Sequence, residues 1–147
     1  MAVTAAGYYF LTFEKQMIDT AGQSIEAETH KEALVADGYT PAFDTHDFRN
    51  DLTNEVSGAG YTAGGVAVTS TELTVSAGTA VWDFTDTVYP TVTITDAMAG
   101  VVYFNVGADT TDQLIVLQDF VTAASATAAN FTIQHHATGV VRFDLTP

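Results

Sequence analysis

Hydrophobic and polar positions change their period once along this chain. From Val66 onward apolar residues tend to alternate with threonines and other polar residues, and Gly or Asx pairs punctuate the runs. That is the pattern of short half-buried strands. Val66 and Val68 fall on one side, then Leu73 and Val75. "TAVWDFT" sets Trp82 and Phe84 on one face, and "TVTITD" sets Val92 and Ile94 inward with threonines outward. "GVVYFNVG" and "DQLIVLQDF" are apolar on both faces, which predicts strands covered on both sides. "NFTIQHH" groups Phe131, Ile133 and His135, and "GVVRFDLTP" groups Val141, Phe143 and Leu145. "TAASATAAN" (122–130) is small and polar and reads as a loop.

Before Val66 the signals are mixed. Tyr9, Phe10, Phe13 and Met17 recur near helical spacing, with Gly22 as a stop, so residues 1–29 are expected to form an N-terminal arm with a short helix. "HKEALVADG" predicts a strand ending at the Asp37-Gly38 turn, with Ala33 and Val35 on one face and Leu34 and Ala36 on the other. Residues 41–65 are the longest aperiodic segment, a length at which loops tend to be functional or interface-forming. A short helix over "HDFRNDL", capped by Thr45, is the one element expected inside it. The expected fold is mainly β: an antiparallel β-sandwich or barrel-like domain of about seven or eight strands spanning 30–147, with a short N-terminal helix.

Charge narrows the function classes. Eighteen Asp and Glu face four Lys and Arg, a formal net charge of −14. Between Asp51 and Pro147 the only basic residue is Arg142. Nucleic acid and anionic membranes are disfavoured partners, because both are bound through Lys and Arg. With no cysteine, disulfides and thiolate chemistry are excluded. The opening residues have no basic stretch ahead of a long apolar one, so no secretory signal peptide is expected, and no apolar run reaches membrane-spanning length.

The sequence shows no recognised pattern of catalysis or cofactor binding. Gly58, Gly60, Gly64 and Gly65 lie close together, but a phosphate-binding loop needs Lys and Ser or Thr after its last glycine, and here Val66-Ala67-Val68 follows. The glycines are read as bends and points of close backbone approach. His46 stands between Asp44 and Asp47, while His135 and His136 point to opposite faces of a strand, so no metal site is expected. Asp83 with Asp86, and Asp109 with Asp112, are near pairs that could serve glycoside hydrolysis or calcium, but they fit turns better. No serine lies in a nucleophile elbow. The expectation is therefore no enzyme, no cofactor and no metal.

Segment 38–68, "GYTPAFDTHDFRNDLTNEVSGAGYTAGGVAV", resembles a signature of small virion proteins of tailed bacteriophages: Y-T-P, a D-x-H-x-F-like element, then N-E-V-S-G-x-G-Y-T-A-G-G. A Trp strand, "AVWDFTD", and the strands "GVVYFNVG" and "LIVLQDF" follow in the same order, so the resemblance spans about residues 25–147. Residues 28–36, "ETHKEALVA", are more polar than the corresponding strand of that family. The resemblance implies a structural virion protein, first of all a head decoration (cement) protein on the outer capsid surface, made in the host cytoplasm. Its implied partners are the major capsid protein and further copies of itself, a trimer first, with no nucleic acid and no membrane. A neck or tail accessory protein is the alternative, and a carbohydrate-binding module using Tyr61, Tyr89 and Trp82 is another. Aromatic and neighbouring residues of the irregular segment, Tyr39, Phe43, His46, Phe48, Arg49 and Tyr61, are the interface candidates.

Overall fold

The structure is a computed structural model that describes residues 3, 5–17, 24–26 and 29–144. Gly22 and Leu145, and the side chain of Met17, lie outside the described residues. Among the described residues the fold is mainly β, with two antiparallel sheets, eight strands and one short helix. The elements are β1 (Gly7–Tyr8), α1 (Phe10–Met17), β2 (His30–Ala36), β3 (Val66–Ala67), β4 (Glu72–Ser76), β5 (Thr79–Asp83), β6 (Thr87–Phe104), β7 (Leu114–Ile133) and β8 (Val141–Asp144). Five strands pair in the order β1-β7-β6-β2-β3, and three in the order β4-β5-β8.

The two long strands organise the rest. β6 joins the two segments that periodicity separates, running without interruption from the Thr-rich "TVTITD" into "VVYF". It pairs with β7 from Thr87↔Ile133 to Tyr103↔Leu114, with the register shifting several times along the way. β2 adds to β6 over Ala97–Phe104, and β1 to β7 only at Val116 and Leu117. Beyond these additions, Thr87–Asp96 and Gln118–Ile133 continue as a two-stranded ribbon.

The ribbon is where the sequence misleads. Residues 122–130, expected to be a loop, belong to β7. Small polar residues have little intrinsic strand preference, but cross-strand packing outweighs it. Ala124 and Ala126 pair with Ala97 and Ile94 and pack beside the cluster of Leu34, Val56, Tyr89, Val92, Ile94 and Ile133. Left-handed backbone at Thr91, Asp96, Val121 and Ala128 marks the bulges. They curl the ribbon enough to bring the rings of Phe120 and Phe131, on the same strand, to 6.1 Å.

Each face of the main sheet carries its own core. On one face Tyr9, Ala33, Val35, Tyr39, Val101, Tyr103, Leu114 and Leu117 pack together. On the other, the three-stranded sheet covers the main sheet through Trp82, Phe84 and Val141 against Val102, Phe104 and Val116. This explains why β2 and the start of β7 are apolar in both directions. The helix is turned differently from the expected stripe: Tyr9 precedes it and is buried, and Thr12 anchors it by donating to the Leu114 carbonyl. Phe10 faces solvent, 59% exposed. The helix expected over 46–52 is a single 3₁₀ turn, Arg49–Asp51. Thr45 does not cap it: Asp51 reaches back to accept from the Asp47 and Phe48 amides at 3.0 and 3.1 Å.

The glycine cluster seats segment 54–66 directly on strand backbone. A Cβ at Gly58 would collide with the Thr93 carbonyl, and one at Gly65, where φ is +73°, with the Glu32 carbonyl. We expect Gly65→Ala to cost about 3 kcal/mol or more, since it adds a backbone clash to left-handed strain. Gly107→Ala, at φ +117° with open space around it, should cost only about 1 kcal/mol from conformation alone. Urea denaturation of the two variants separates the terms; equal losses would remove close approach as the reason for Gly65.

Candidate functional site

Two polar constructions stand out against this apolar frame. The first is the brace formed by residues 38–65, which holds all six interface candidates. Tyr39 is buried, its hydroxyl 2.9 Å from that of Tyr9 and 3.0 Å from Nδ1 of His46. Burial, the largest effect on it, pushes the Tyr39 hydroxyl up to about 12. The Phe43 ring lies 5.2 Å from that of Tyr9 and against Gly7. Phe48 forms a one-residue bridge to Gln113. Next to it, Arg49 Nε donates to Asp112 Oδ2 at 3.2 Å while its guanidinium lies over the Tyr103 ring at 5.6 Å. Asp112 is almost wholly buried, and its other oxygen accepts from the amides of Val106 and Gly107 at 2.8 and 3.0 Å. Arg49 therefore neutralises a carboxylate that closes the β6–β7 turn, instead of standing free.

Tyr61 is spent in the same way. Its hydroxyl donates to Glu55 Oε1 at 2.9 Å and accepts from the Leu34 amide at 3.0 Å, and its ring stacks on Tyr89 at 5.8 Å. Glu55 also accepts from the Gly64 amide, and the Tyr103 hydroxyl donates to the Gly64 carbonyl at 2.6 Å. The brace is thus pinned at both ends to β2 and β6. The structure brings Tyr39 and His46 together, but it gathers the six candidates into no common exposed patch. Tyr61 is half-buried, Tyr89 and Trp82 are buried, and these three present no exposed aromatic platform to a sugar.

The second construction lies between the two sheets. Glu32, on β2, is completely buried and accepts from Gln118 Nε2 at 3.0 Å. Gln118 Oε1 lies 3.0 Å from His135 Nδ1, and His135 Nε2 lies 3.3 Å from the Thr87 hydroxyl and 3.8 Å from Glu32 Oε2. The main chain of His135 is fixed by its amide donating to Asp86 at 3.0 Å, and its ring packs edge-on against Phe84 at 4.4 Å. Gly100 makes the space, since a Cβ there would meet Glu32 Oε1. Burial pushes the Glu32 carboxyl up to about 7, with the Thr87 hydroxyl acting weakly in the opposite direction. Burial also lowers His135 below its ordinary value, opposed by Asp86 and Asp83. Burial thus disfavours the charged form of both groups, and the pair is held by hydrogen bonds more than by charge.

Sequence reasoning did not single out this cluster, although two traces of it were present. Glu32 is a lone acid on the face of β2 that also carries Leu34, and His135 shares a side with Phe131 and Ile133. Gln118 and Thr87 gave no signal, because their role depends on strand pairing across many residues. Of the near pairs of acids, Asp112 is the turn closer and Asp86 orients His135. Among the described residues, no three His, Asp or Glu side chains are grouped as a metal ion would need. A groove of about 520 Å³ runs between the edges of the two sheets, lined by Tyr8, Leu117, Gln118, Asp119, Arg142 and Phe143 among others.

No family model, no curated protein and no solved structure matches the chain.

The buried cluster gives stability a defined pH dependence. Glu32 keeps its proton up to about pH 7 in the folded state but releases it near 4.5 when unfolded. Its contribution is thus fully present below the unfolded value and is lost as pH rises towards 7. His135, with its folded value lowered, acts oppositely and loses stability as pH falls below about 6.5. Glu32→Gln should therefore come closest to the parent near pH 4 and exceed it at pH 8 by on the order of 3 kcal/mol. Chemical denaturation at the two pH values checks this, and an equal effect at both would contradict it.

Proposed function

We propose that this chain is a structural protein of a bacteriophage particle, a head decoration protein that attaches in many copies to the outer capsid surface through protein–protein contacts. The main support is the way segment 38–65, which carries the resemblance to phage virion proteins, is built. Its glycines are pressed onto the backbone of β2 and β6, and its aromatic and charged side chains are tied to the same sheet. Held in this way, the residues of the segment that face solvent, among them Asp44, Thr45, Asn50 and Asn54, form a preformed surface, and a preformed surface loses little entropy when it docks.

Electrostatics favours the outside of a shell. A chain with net charge −14 is repelled by packed nucleic acid. Many symmetry-related copies can each make weak contacts and still hold a shell together, because binding is multivalent. The role of the protein is then mechanical: it contributes shape and adhesion, with the major capsid protein as partner. A neck or tail position would use the same physics on a different ring of subunits.

Purified protein added to capsids that lack it should bind at a fixed stoichiometry and raise the temperature or osmotic shock at which the shells open. Absence of rebinding to shells, together with binding to isolated necks or tails, would move the protein to the alternative site. No binding to either would overturn the reading.

A further inference from the structure

We infer that the outer edge of β7 is a docking strand for a second copy of this chain, which adds antiparallel to it across a two-fold axis. This inference stands independently of the particle reading, because it rests on three features of the ribbon.

The first is an open edge. Past Leu117, β7 has no strand partner on its outer side among the described residues, although it continues to Ile133. Bulges at Val121 and Ala128 interrupt that edge, and between them residues 122–127 remain as a row of backbone donors and acceptors suited to another extended strand. Folded proteins commonly protect long edges with bulges, Lys, Pro or other charges. Here no Asp, Glu, Lys, Arg or Pro occurs between Asp119 and Arg142.

The second is the conformation of Val121. It is 82% exposed and has φ 65°, a left-handed conformation unfavourable for a β-branched residue. Exposure and strain at one apolar side chain point to a contact made outside the monomer. A hollow of about 280 Å³, lined by Phe120, Ala124, Phe131 and Ile133 among others, lies beside the same edge. Knob and hollow on one strand are self-complementary under a two-fold.

The third is charge. Two chains of net charge −14 repel each other, and the strip from Phe120 to Val141 is the longest in the sequence without a formally charged residue. It is where a second copy meets least opposition. Alanine, serine and threonine over 122–129 also leave the backbones free to approach. An isologous edge pair closes at two copies, so this surface builds a dimer where the family resemblance implied a trimer.

The test is sedimentation of the full chain over a wide concentration range, with Val121→Asp and Thr127→Lys as variants. The parent should form dimers more tightly as salt rises, since screening weakens acid–acid repulsion. Val121→Asp removes the knob and adds like charge, while Asp tolerates the left-handed backbone better. It should weaken dimerisation at least tenfold without lowering thermal stability measured at dilute, monomeric concentration. Thr127→Lys should also weaken it, as Lys at an edge blocks strand addition. Amides of 122–127 should gain hydrogen-exchange protection in the parent at high concentration. A parent that stays monomeric at all concentrations and salts, or dimers unaffected by both variants, would overturn the proposal.

Discussion

Between Thr87 and Ile133 two strands stay hydrogen-bonded through repeated bulges, and their joint ladder is the contact on which the other elements depend. β2 and β1 add to its turn-proximal half, the three-stranded sheet packs on one face of that half, and the brace of residues 38–65 crosses to its distal half. An isolated two-stranded ribbon is marginal in water. Here it persists because Tyr89, Val92, Ile94, Phe131 and Ile133 bury one side against Leu34, Val56 and Tyr61. The glycine segment is therefore structural in a specific sense: it supplies the surface that lets the ribbon remain folded.

The buried polar network follows from the same arrangement. Strand pairing sets Gln118 opposite Gly100 and Glu32 two residues along, opposite Val102, so that Glu32 and Gln118 meet diagonally over Gly100 and His135 closes over them. An apolar layer at this point would be simpler to stabilise, and a buried acid costs stability once it ionises. What the network contributes is geometry: the Glu32–Gln118 and Gln118–His135 contacts form only when β2, β6, β7 and the end of the ribbon are in one register.

Much of the strand content was legible because its side chains alternate or run apolar where both faces are covered. Trp82, Phe84, Val92 and Ile94 sit inward as their periodicity requires. The Asp37-Gly38 turn and the backbone-bending role of the glycines were legible too, the latter because no lysine follows them. The stretch 122–130 was not legible, since alanine and serine carry no strand signal and their partner lies about thirty residues away. The six interface candidates were recognised as unusual for sound reasons, being aromatic or charged residues in an aperiodic segment. The sequence could not say whether such residues face outward or tie a long segment to its own sheet, and within the chain the structure uses them for the latter.

The central claim is that the brace is a rigid part of the fold and that its glycine contacts make it so. Native-state hydrogen exchange tests it most directly, by following the amides of Ala36, Val56, Val68 and Thr93, which donate to Asn54, Leu34, His30 and Ala59. The account predicts that they exchange only with global unfolding, at the same free energy as amides within the β2–β6 ladder. Exchange of these amides several kcal/mol below the global value, as expected of a loosely attached loop, would contradict it.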